Sequence, residues 1–89
     1  MAFTHHAQTR LQQRGIPTEA VDALLAYGNT RRHHGADVYY LDRQARSRAR
    51  AGLGAQLFNR IEKALDSYLV VGDDGAVITA AHRLQRLKF

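Results

Sequence analysis

Two histidines and two arginines fall within "HHAQTRLQQRGI", residues 5–16. On a helix His6, Arg10 and Arg14 stand at i, i+4 and i+8 and form one stripe. His5 lies in another register, beside Thr9 and Gln12, so His6 is the member of the pair placed to act. Nothing acidic shares the stripe, which leaves both arginines without an i,i+4 partner. Titratable imidazole between fixed cations is an arrangement suited to phosphate chemistry. The bland alternative is a solvated flank whose arginine stems cover apolar surface.

A second set lies near the C-terminus. Under regular pairing, "ITAAHR" turns Ile78, Ala80 and His82 to one strand face and Thr79, Ala81 and Arg83 to the other. His82 is then either a hydrogen-bonded histidine at the core edge or a second proton-transfer group. "VYYLD" turns Tyr39 and Tyr40 to opposite faces. One is core, and the other can stack on a base or act as a weak acid. "RQARSRAR" aligns Arg43, Arg46 and Arg50, either as a solvated face or as a track for an RNA backbone.

Other chemistries lack their residues. Histidines at 5, 6, 33, 34 and 82 offer no H-x₃₋₅-H spacing, and there is no cysteine, so a zinc site is not expected. Gly52-Leu53-Gly54 lacks the third glycine and preceding strand of a dinucleotide fingerprint. Neither a phosphate-binding P-loop nor a nucleophile-elbow serine appears. The carboxylates show no pairing suited to glycosidase or two-metal work. Histidine plus arginine remains, with no metal or cofactor called for.

These side chains need elements to hold them. Thr4 can cap a helix running to about Arg14, stopped by Gly15. Pro17 and Thr18 open a second helix that Gly28 ends, with Ala20, Val21, Leu24 and Leu25 as its buried stripe. "NTRRHHGAD" reads as a basic loop and "VYYLD" as a short strand. From Arg43 to about Ser67 the pattern is helical, broken near 52–54, with Leu57, Phe58, Ile61 and Leu65 buried. Two apolar runs around Asp73-Asp74-Gly75 read as a β-hairpin. The expectation is a single α+β domain over 1–89. Two N-terminal and one or two central helices pack on a small, mainly antiparallel three-stranded sheet with a C-terminal hairpin.

Composition narrows the partners. The 89 residues include 13 Lys+Arg against 8 Asp+Glu, a net charge of +5. Eleven of the cations are arginine, the residue of bidentate phosphate contacts. GC-rich codon usage is the competing account. No signal-peptide pattern or membrane-length apolar run appears, so a cytoplasmic protein with no membrane partner is expected.

The motif H-A-x-x-R-x-x-x-R-G-I, then "EAVDALLAYG", then a hairpin ending "VITAAHR", resembles the bacterial domain-of-unknown-function family 4258. That family is placed beside the RelE, barnase, EndoU and colicin-type metal-independent ribonucleases. The resemblance covers most of the chain. It implies a RelE/barnase-like α+β fold and metal-independent RNA cleavage of toxin type. Under it, His6 and Arg10 match the N-terminal helix positions and Arg14 the R-G-I arginine. Thr79, His82 and Arg83 fall in the C-terminal strand region where such nucleases keep active groups.

The leading expectation is an endoribonuclease-like domain. His6 or His82 takes the 2′-hydroxyl proton, the other imidazole or Tyr40 protonates the leaving oxygen, and Arg10, Arg14, Arg83 and Thr79 hold the phosphate. The alternatives are a non-catalytic nucleic-acid-binding module using the arginine stripe, and a protein-interaction domain docking an acidic partner such as an antitoxin.

Overall fold

Helix ends are set where side chains or glycines satisfy the orphan backbone groups. The computed structural model describes residues 3–82. Helix α1 (His5–Arg14) starts at Thr4, whose hydroxyl accepts from the Ala7 amide, and ends at Gly15 in the left-handed region. Helix α2 (Thr18–Tyr27) follows, with Pro17 in the cap position and Thr18 already helical, so Thr18 supplies no cap bond. Strands β1 (Asn29–His33) and β2 (Ala36–Tyr40) come next. Asp42 caps α3 (Arg43–Leu53) by accepting from the Ala45 amide. Gly54, at φ +86°, breaks the path before α4 (Ala55–Ile61) and a 3₁₀ turn over Glu62–Leu65. Strands β3 (Ser67–Val71) and β4 (Val77–His82) close the described chain as a hairpin.

The protein is α+β, with one four-stranded antiparallel sheet in the order β1-β2-β3-β4. One strand more is present than the local pattern suggests. The basic stretch expected as a loop is β1, paired residue for residue with β2 from Asn29↔Tyr40 to His33↔Ala36. Only His34 and Gly35 lie between them, at φ 51° and 77°. Two positive φ values make a type I′ turn, the two-residue connection that matches strand twist. Histidine is among the few non-glycine residues that tolerate this region.

Every directly opposed pair shares a sheet face, so the register sorts the side chains. One face carries Leu69, Val71, Val77 and Ala80, all in the core with Ala7, Val21, Leu24 and Leu65 from the helical layer, and Tyr39, which packs against it. The other carries Arg31, Val38, Tyr40, Tyr68, Val70 and Thr79, and none of these belongs to that core. The helices thus cover one side of the sheet. A β-bulge decides which residues of β4 join them: Val70 faces Thr79 but Val71 faces Val77. Ile78 is the extra residue and is 40% exposed, so Val77 and not Ile78 shares the inward face with Ala80 and His82, unlike the regular alternation expected for this strand.

His34→Val should destabilise the protein by about 1–2 kcal/mol, because a β-branched residue resists left-handed backbone, while His34→Asn should be neutral or stabilising. Thermal melts of the two variants test this. Acid should also weaken the fold. The Ala45 amide holds the Asp42 carboxyl below its ordinary value of 3.8, and Arg32 does the same for Asp73. A depressed folded-state pKa gives stability that is present above the unfolded value and lost as pH falls through the folded one. Stability measured at stepped pH below 3.8 should fall less steeply for Asp42→Ala than for the wild type.

Candidate nucleic-acid interface

Helix α1 is fastened along edge strand β4 at both ends. At its start the Thr4 amide donates to the Val77 carbonyl (3.0 Å) and the Thr4 hydroxyl donates to the Ile78 carbonyl (3.0 Å). Phe3 forms a parallel bridge with Val77. At its end the Arg14 carbonyl accepts from His82 Nε2 at 2.7 Å. A helix of ten residues rises about 15 Å and four strand steps span about 13 Å, so the two anchor points match in spacing.

That last contact fixes which ring nitrogen of His82 donates. A carbonyl only accepts, so Nε2 carries the hydrogen, and in the neutral ring Nδ1 accepts from the Ser67 hydroxyl at 3.3 Å. Ser67 is 1% exposed on β3 and is the buried polar side chain beside the core. Both imidazole nitrogens are therefore turned to protein groups. Of the two roles open to His82 in sequence, the geometry supports the hydrogen-bonded core-edge histidine. Ser67 is too buried to serve as a nucleophile, and the group on Nε2 is a carbonyl where a triad would need a carboxylate.

His6 lies elsewhere. It is exposed, eight residues before Arg14, which is about 12 Å of helix rise. Its Cβ tilts toward the helix start, away from His82. The two imidazoles do not meet across one phosphodiester, as general acid–base transfer requires. Tyr40 is more distant still in function: it sits on the sheet face away from the helices, opposite the one carrying His82. Thr79 shares that face with Tyr40, and Arg83 lies outside the described residues. The expected set thus divides into two groups, one around α1 (His6, Arg10, Arg14, with His82 behind it) and one on the sheet face away from the helices (Tyr40 and Thr79).

The cations divide as well. Arg32 pairs with Asp37 (3.4 Å) and Asp73 (2.7 Å), Arg60 with Glu19 (3.2 Å), and Arg46 with Asp66. Arg10 and Arg14 take no acidic partner among the described residues, and α1 contains no acid at all. Arg14 is exposed and Arg10 half-buried beside the Ala7–Leu11 stripe. Of the three aligned arginines on α3, Arg46 is thus committed to Asp66, while Arg50 lies 6.0 Å from the centre of the Phe58 ring. A shallow groove lined by Phe3, Gln8, Leu11, Gln12, Ile16 and Pro17 runs along the other flank of α1 and includes none of the expected site residues.

Sequence reasoning located the α1 stripe but missed Ser67. Ser67 is a lone serine in an apolar run, and its hydroxyl acquires meaning only once His82 is paired opposite it. No family model, curated protein or solved structure matches the chain.

His82→Ala should cost about 1–3 kcal/mol by stranding the buried Ser67 hydroxyl. For a domain of this size that lowers Tm by about 4–8 °C per kcal/mol. Hydrogen exchange should quicken at the C-terminal turn of α1. Unchanged stability would mean that His82 is not a structural clamp.

Proposed function

We propose that the protein is a non-catalytic nucleic-acid-binding module that holds the phosphate backbone on the exposed flank of α1. The observation that carries this reading is the contrast among the arginines. Arg32, Arg46 and Arg60 are committed to carboxylates, whereas Arg10 and Arg14 stand one turn apart on a helix that has no acid and form no ion pair with the described residues. Each offers a planar fork of donors suited to a phosphate. Successive turns of a helix set them about 5–6 Å apart at Cβ, within reach of neighbouring phosphates of one strand.

The metal-independent ribonuclease reading implied by the resemblance would need a second proton-transfer group near His6. His82 is held away from that role by Arg14 and Ser67, and Tyr40 lies across the sheet. His6 then contributes at most a further hydrogen-bond donor at the rim of the stripe. Binding without cleavage is what these groups support.

Binding of labelled single-stranded RNA, followed by fluorescence anisotropy across a salt series, tests the proposal. Affinity should fall with rising salt, and Arg10→Ala or Arg14→Ala should each reduce the magnitude of the log–log slope by about 0.7. His6→Ala should leave both affinity and slope nearly unchanged. Absent or salt-insensitive binding would refute the proposal, and metal-free cleavage lost in His6→Ala would replace it with the enzymatic reading.

A further inference from the structure

Around helix α1 the side chains fall into four rows at i, i+4 spacing. Ala7 and Leu11 make the row against the core, where Ala7 is wholly buried. His6, Arg10 and Arg14 make a cationic row on one flank, and Gln8 and Gln12 an amide row on the other. His5, Thr9 and Gln13 make the fourth, which lies opposite Ala7 and is the outermost line of the helix. Gln8, Gln12 and Gln13 are all exposed, while Thr9 turns its hydroxyl back to the His5 carbonyl at 3.0 Å. The helix packs chiefly on edge strand β4, whereas α3 packs on α2 and α4, so α1 forms a margin of the helical layer. Its ties at Thr4 and His82 hold the four rows in one orientation.

Arginines suit phosphates, but amides suit a different target. A glutamine side chain offers one acceptor and two donors, and it pairs bidentately with the N6 and N7 edge of adenine. Three exposed glutamines on a ten-residue helix without acids therefore set groups for reading bases beside groups for holding the backbone. Base edges are displayed to a whole helix in the major groove of B-form DNA, which is about 12 Å wide, about the diameter of a helix with its side chains. The deep, narrow major groove of duplex RNA does not admit one. A helix at the margin of its layer can enter such a groove where a helix between two others cannot. With the outermost row toward the base pairs, the cationic flank meets the phosphates of one groove wall and the amide flank faces the other.

We propose that α1 reads the major groove of duplex DNA, with Gln12 and Gln13 on adenine edges and Arg10 and Arg14 on the phosphates of one strand. The proposal rests on the nucleic-acid reading above and names the form of polymer that the same flank takes. It gives a task to glutamines that phosphate holding leaves idle, and it draws on no side chain outside α1. Single-stranded RNA is then held through the arginines alone.

The test selects duplexes bound by the wild type from a pool of DNA with a randomised core. Fluorescence anisotropy across a salt series then compares the enriched duplex, the unselected pool and duplex RNA of the enriched sequence. Wild type should enrich a short adenine-containing motif and prefer it to both the pool and the RNA. Gln12→Ala and Gln13→Ala should each weaken binding to the enriched duplex by about 5- to 150-fold, the worth of one bidentate base contact. Neither should change affinity for the pool or the salt slope, because neither removes a charge. Alanine is the better helix former at these exposed positions, so both variants keep α1. Placing 7-deazaadenine, which lacks the N7 acceptor, in the enriched duplex should weaken binding by the wild type. Absence of enrichment, equal affinity for DNA and RNA of that sequence, or indifference to both glutamine variants would overturn the groove reading. Phosphate holding would then stand alone on the salt-dependent binding of single-stranded RNA. Failure of the wild type to bind either the pool or single-stranded RNA would remove both.

Discussion

The two-point attachment of α1 to β4 is the constraint on which the rest of the molecule depends. An isolated helix of ten residues is marginal in water, so α1 exists because it is packed and tied. Thr4 spends its hydroxyl twice, accepting from Ala7 to start the helix and donating to Ile78 to hold it on the strand. His82 closes the other end by joining the last turn of α1 to β3 through Ser67. With both ends fixed, the rotation of the helix is fixed too. Ala7 lies at 0% exposure against the sheet, and the register of the helix then leaves Arg14 outside and Arg10 at the rim.

The bulge at Ile78 belongs to the same construction. Its extra residue brings the Val77 and Ile78 carbonyls to the start of α1, where the Thr4 amide and hydroxyl take one each. It also restores alternation so that Val77, Ala80 and His82 all face the helices. Without it, either Val77 or His82 would be turned out. Backbone irregularity and side-chain placement are here a single feature, as is common at sheet edges.

Much of this was legible in the residues, and the exceptions have physical causes. The caps at Thr4 and Gly15, the break near Gly54 and the Asp73-Asp74-Gly75 turn are local decisions, made by hydroxyls and by glycine's tolerance of positive φ. Strand β1 was not legible, because Thr30, Arg31, Arg32 and His33 are all exposed and carry no apolar alternation. Pairing with β2 makes it a strand, and only the turn at His34-Gly35 hinted at that. For the site, helical spacing alone aligned His6, Arg10 and Arg14. The role of His82 was hidden because it depends on a carbonyl 68 residues away.

The polar character of β1 carries one more consequence. An edge strand displays a row of unsatisfied donors and acceptors that invites another strand to pair with it. At the β4 edge, Phe3 and Thr4 already occupy part of that row. At the opposite edge, where no further strand pairs among the described residues, β1 places the exposed Thr30, Arg31, Arg32 and His33. Like charges set directly across from one another oppose pairing. A strand edge of this charged composition is of the kind that disfavours pairing with another sheet.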